Sequence, residues 1–169
     1  MSHNSTITEK AIALMRRCGT RDPFSIASEL GINMMYTDAL HRLKGIYRVI
    51  KRNRFIILNN KNSAELNRIV CAHELGHDQL HREYAKECAL QEFMLYDMST
   101  RREYEANVFA ATLLLDDETV IELIEDGLDT VAIAAAMNTD INLVALKVDC
   151  LIRSGHNLRV QAHNSKFLK

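Results

Sequence analysis

No stretch of this 169-residue chain is long and apolar enough to cross a bilayer: its longest apolar runs, "VFAATLLL" and "VAIAAAM", fall far short of the roughly 20 residues required. The opening MSHNSTITEK has neither the basic nor the apolar region of an export signal, so a cytoplasmic location is expected. Charge of one sign is also missing. With 21 basic against 22 acidic side chains and a net charge of -1, no global field draws the molecule onto nucleic acid or an anionic membrane. Cysteine is sparse, and Cys18, Cys71, Cys88 and Cys150 form no C-x-x-C pair, which argues against a disulfide scaffold and a thiolate zinc knuckle. Cys71 reads as a small packed residue rather than a nucleophile. There is no internal repeat and no low-complexity linker. What remains, a chain that is 47% hydrophobic, suits one domain or a compact core with a small appendage.

Residues 5 to 18 carry Ile7, Ala11, Ile12, Leu14 and Met15 at helical spacing, ending at Gly19. In "RDPFSIASELG" Asp22 can cap, the single proline suits a first helical position, and Gly31 can end the turn, which predicts a helix over 23–30. "INMMYT", "GIYRVIK" and "RFIILN" are rich in β-branched and aromatic residues, with "KRNR" as a turn between the last two, and predict a small antiparallel sheet. Asn62 with Glu65 has the form of a helix cap, after which Leu66, Ile69, Val70, His73, His77 and Leu80 fall on one stripe. Residues 82 to 99 carry no clear period. "RREYEANVFAATLLL" reads as a buried helix, followed by short helices over 117–126, 129–137 and 140–153 and a frayed tail after Gly155. The fold class expected is α+β, mostly helical.

The segment "HELGHDQLH" carries the chemistry. On a helix, His73 and His77 lie one turn apart on the same face and can offer two imidazole nitrogens to one ion. Glu74 is rotated away from that face, outside the ligand set, where it can take a proton from water beside the ion. His81 is roughly 12 Å along the axis from His73 at about 1.5 Å per residue, too far to share that ion, and reads as a helix-end residue. A distant acid must then complete the site. The helix beginning "RREYEAN" offers Glu103 and Glu105; Glu103 shares a face with Ala106, Asn107 and Ala110, which favours it and leaves Asn107 placed to hold a ligand from behind. Against this, Glu103 can also serve a capping box with Thr100.

Taken in order, "DPFSIASELGI", "KGIY", "CAHELGHDQLH" and "EYEANVFAATLLL" resemble the ImmA/IrrE family of metallopeptidases over about residues 22 to 153. The resemblance implies a zincin-like core over 1–115, Zn2+ held by His73, His77 and Glu103, and Glu74 as general base. It also implies a zinc endopeptidase acting on a regulatory protein, such as the helix-turn-helix repressor of a phage or mobile element. This chain departs from the family's usual methionine and proline after "LL", having Asp116 and Asp117 there. Residues 116–155 have a helix-turn-helix outline, with 156–169 a flexible tail. Between 140 and 153 only Lys147 and Arg153 are basic, offset by Asp140 and Asp149, which favours packing or protein recognition over DNA readout. Two other readings stay open: a zincin-shaped module that binds a partner without cutting, and a DNA-binding regulator. Tyr47, Tyr96, Tyr104 and His156 are possible oxyanion donors, none assigned.

Overall fold

The computed structural model describes residues 3–87 and 100–159, and divides the chain into two compact units, Met1–Leu114 and Leu115–Lys169. In the first unit α1 (His3–Cys18) and α2 (Pro23–Glu29) precede three strands, β1 (Asn33–Thr37), β2 (Gly45–Ile50) and β3 (Asn53–Asn59). They are followed by α3 (Ala64–Leu80), α4 (Arg82–Glu87) and α5 (Arg101–Leu114). The Asp22 carboxylate accepts from the Ser25 N–H at the start of α2, with Pro23 in the first turn, as expected of that sequence. The cap of α3 is Ser63, one residue later than the Asn62 signature suggests, its hydroxyl accepting from Leu66 N–H.

The α+β, mostly helical class holds, with one correction: the sheet is mixed. Its order is β1-β3-β2, β2 pairing antiparallel and β1 parallel with β3. A two-residue turn forces β2 and β3 antiparallel, whereas the longer connection from β1 lets it run beside β3 in the same direction. Lys44 C=O accepts from Asn59 N–H, so by the alternation of an antiparallel ladder the backbone groups of Gly45, Tyr47 and Val49 turn away from β3.

Helix α3 is central. It is buried from Ile69 to Asp78, packing most extensively on α5, with β2, β3 and α2 also against it. Two glycines permit this closeness. A Cβ on Gly76 would lie 3.0 Å from Ala106 Cα on α5, and one on Gly45 would lie 2.4 Å from a Val70 methyl and 3.4 Å from Glu74 Oε1.

The second unit holds α6 (Asp117–Glu125), α7 (Thr130–Ala136) and α8 (Ile141–Arg153), capped by Asp116, Asp129 and Asp140 in turn. Helices α7 and α8 are bent by 110° across their connection, within the range of a helix-turn-helix. Lys147 is buried and paired with Asp117. Among the described residues no single helix is long and apolar enough to cross a membrane. The expected tail falls largely on 160–169, and the aperiodic stretch largely on 88–99, both outside the described residues, as are Tyr96 and Cys88.

Candidate metal centre

His73 and His77 sit one turn apart on the buried face of α3, and α5 crosses at Gly76 and Ala106 closely enough to bring a third side chain over them. That side chain is Glu103. His73 Nε2 lies 3.1 Å from Glu103 Oε2, His77 Nε2 lies 3.4 Å from Oε1, and the two Nε2 atoms are 3.0 Å apart. These three residues form a group whose ligand atoms could hold a metal ion. Ligands about 2.0–2.1 Å from a tetrahedral zinc stand roughly 3.3–3.4 Å from one another, close to what is found.

The hydrogen-bond pattern behind the rings tests the fit. His73 Nδ1 is 2.9 Å from Asn107 Oδ1, an acceptor, so the ring proton belongs on Nδ1 and Nε2 is bare. A second chain runs behind His77: its Nδ1 is 3.1 Å from His81 Nδ1, and His81 Nε2 is 2.9 Å from Glu105 Oε2. A carboxylate only accepts, so His81 carries its proton on Nε2, its Nδ1 accepts, and His77 must donate from Nδ1. Both facing Nε2 atoms then present lone pairs to each other and to an anionic carboxylate. That arrangement suits a divalent cation and is unfavourable without positive charge at the shared point.

The electrostatics agree. Burial alone would raise the Glu103 carboxyl, but hydrogen bonds from His73 and His77 outweigh this and bring it down to about 2, so in the metal-free protein the shared point draws a proton, the positive charge that an ion would replace. Burial lowers His77 and His81, holding the rings on the neutral side that ligation needs. Glu74 is 2% exposed and is raised well above the ordinary carboxylate value, first by burial, then by Glu103, with a Tyr47 backbone N–H acting in the opposite sense. Glu74 is thus a buried carboxyl with a raised affinity for protons beside the three residues that could hold an ion.

Of the residues named from sequence, His73, His77, Glu74, Glu103 and Asn107 are thus brought together. Thr100 Oγ1 accepts from Glu103 N–H, but the Glu103 carboxylate faces the histidines and not the Thr100 backbone, so of the two roles that compete for it the structure shows the one at the histidines. Tyr47 is fully buried and its hydroxyl donates to Asp78 at 2.6 Å; His156 is exposed in the second unit. Sequence reasoning missed the linkage of His81 to Glu105, although the continued four-residue spacing from His77 signals it. It also missed Asp78, which accepts from Tyr47, Arg54, Gln79 and Arg82 and ties α3 to β2 and β3.

Two comparisons bear on this site. The chain is 38% identical over 123 residues to "Uncharacterized immunity region protein 2" of Bacillus phage phi105, covering 71% of this chain and 76% of the phage protein. The model of the Peptidase M78 family, described as the IrrE N-terminal-like domain, matches residues 27–148, a span that takes in α3, α5 and with them His73, Glu74, His77, Glu103 and Asn107. On that match the chain belongs to the Peptidase M78, or ImmA/IrrE, family.

Proposed function

We propose that this protein is a zinc-dependent endopeptidase that cleaves a regulatory protein, with a helix-turn-helix repressor the leading substrate class. The observation that carries the reading is the convergence of bare His73 and His77 Nε2 atoms and the Glu103 carboxylate, with Glu74 buried beside them. His73, His77 and Glu103 would hold the ion. When bound, zinc in such a site supplies Lewis acidity toward a carbonyl oxygen and makes water nucleophilic near neutral pH. Glu74 takes the proton from the attacking water and returns it to the departing amine. Its raised affinity for protons, set by burial and by Glu103, suits both halves of that task. The backbone of Gly45 and Tyr47, on the side of β2 turned away from β3, is buried beside Glu74, and the Tyr47 N–H meets the Glu74 carboxylate and holds it in place. The name of the phage relative, an immunity region protein, supports a regulatory protein as the target.

The test is incubation of purified protein with the repressor encoded beside its gene, with and without a chelator. Cleavage is expected only in the metal-loaded wild type, while Glu74→Gln keeps one equivalent of zinc and leaves the substrate intact. A Glu74→Gln variant whose biological output matches wild type would instead favour a module that binds its partner without cutting it.

A further inference from the structure

Three rings and two carboxylates form one continuous chain at this site, and only part of it touches the metal position. Arg101 Nε donates to Glu105 Oε1 at 2.6 Å; Glu105 Oε2 accepts from His81 Nε2 at 2.9 Å; His81 Nδ1 faces His77 Nδ1 at 3.1 Å. His81 is held from the backbone as well: it caps the end of α3, its N–H donating to His77 C=O at 2.8 Å. His81 and Glu105 are 8% and 9% exposed, so water does not readily replace either partner.

We propose that His81, locked by Glu105, is a positioning residue that selects the tautomer of His77 and aims its Nε2 lone pair at the metal position. The inference rests on the reading that His73, His77 and Glu103 hold a divalent cation. Its logic is sequential: the carboxylate fixes the His81 proton on Nε2, which bares His81 Nδ1, which in turn requires the His77 proton to be on Nδ1. His73 reaches the same tautomer by another route, through the Asn107 carbonyl oxygen at 2.9 Å. Each imidazole ligand therefore has its own acceptor behind it, an amide for one and a histidine–carboxylate pair for the other. Partners of this kind typically change metal affinity by about 10–100-fold when removed.

The experiment uses the full chain and Zn2+ alone as the probe. Zinc affinity is measured by competition with a chromogenic chelator, and the His77 tautomer is read in the metal-free protein from the ring-nitrogen shifts of 15N-labelled histidine. His81→Ala is expected to weaken zinc binding about 10–100-fold and to move the His77 proton toward Nε2. Glu105→Ala should shift both readouts in the same direction by a smaller amount, and it keeps the test open if His81→Ala fails to fold. His81→Gln, which restores a carbonyl acceptor, should recover most of the affinity; a merely structural role would lower the metal-free protein's melting temperature with no such rescue. Affinity in His81→Ala within twofold of wild type, or an unmoved His77 tautomer, overturns the proposal while leaving the metal site standing. Wild-type protein that binds no stoichiometric zinc, yet shows a His77 tautomer dependent on His81, overturns the metal reading and not the chain of protons.

Discussion

Glu74 illustrates a conflict between stability and chemistry within one side chain. Its carboxyl is raised by burial and then by the neighbouring Glu103, so in the metal-free protein ionisation opposes folding. The sign follows from linkage: the stabilising effect of the raised value is fully present below the unfolded carboxyl value of 4.5 and is lost as pH rises through the folded value. Glu74→Gln has nothing to ionise. In chelator-treated protein its urea midpoint should exceed that of wild type by a margin that opens as pH rises above the unfolded value of 4.5, and a margin independent of pH would refute this account. Asp78 presents the opposite case, a buried carboxylate whose charge is matched by Arg54 and Arg82 and hydrogen-bonded by Tyr47. Asp78→Ala should cost about 3 kcal/mol in urea unfolding, the low end for a broken buried pair because Arg82, 42% exposed, can rehydrate. The two kinds of residue differ in how visible they are in sequence. His73, His77 and Glu74 are readable because all three lie on one helix at fixed spacing, and Glu103 because of the face it shares with Asn107. Asp78 is not readable, and Glu105 is visible only as an alternative third ligand, since the role of each is defined by partners distant in sequence, Tyr47 and Arg54 for one and His81 for the other.

Among the elements, the β2–β3 hairpin carries a local contradiction. Ile50 pairs with Asn53, and the two residues between them, Lys51 and Arg52, have φ of 47° and 69°. Two consecutive left-handed residues make a tight turn whose twist matches the strands, but neither is glycine or asparagine, and each side chain opposes that conformation. Replacing the pair with Asn-Gly should stabilise the protein by about 1 kcal/mol, read as a raised urea midpoint with an unchanged m-value; no rise would mean that packing of the Lys51 and Arg52 stems offsets the strain. The strands were legible from their β-branched and aromatic content. Their neighbours were not, because that content says nothing about which strand lies between the other two, and the parallel β1–β3 pair emerged only in the structure. Helix α8 shows a similar limit. Its sequence holds two cations, but Lys147 is buried against Asp117, leaving Arg153, itself paired with Asp149, on a helix that would need several free charges to grip phosphates.

Across the molecule, the feature that sequence spacing could not supply is the meeting of α3 with α5. Periodicity identifies two helices with apolar faces, but their crossing point depends on Gly76 lying over Ala106, a contact between residues 30 positions apart in which one added methyl would press on backbone. That crossing sets Glu103 over the histidines and brings its carboxylate to 3.1 Å and 3.4 Å from two Nε2 atoms that are themselves 3.0 Å apart. A cation there binds the folded chain and not the unfolded one, so metal and fold are linked by mass action. At free zinc about 1,000 times the dissociation constant the stabilisation is about 4 kcal/mol, and it disappears on chelation. The expected result is a melting temperature that rises with free zinc along that logarithmic dependence. Amide-exchange protection should be gained first in α3 near His73 and His77 and in α5 near Glu103, the segments whose mutual approach the ion rewards. Glu103→Ala should flatten that dependence and also lower the metal-free melting temperature, because the bonds with His73 and His77 that bring the Glu103 carboxyl down to about 2 stabilise its charged form in the folded chain. A steep zinc dependence surviving in Glu103→Ala would place the ion elsewhere, and the crossing of α3 and α5 would then have to be explained by packing alone.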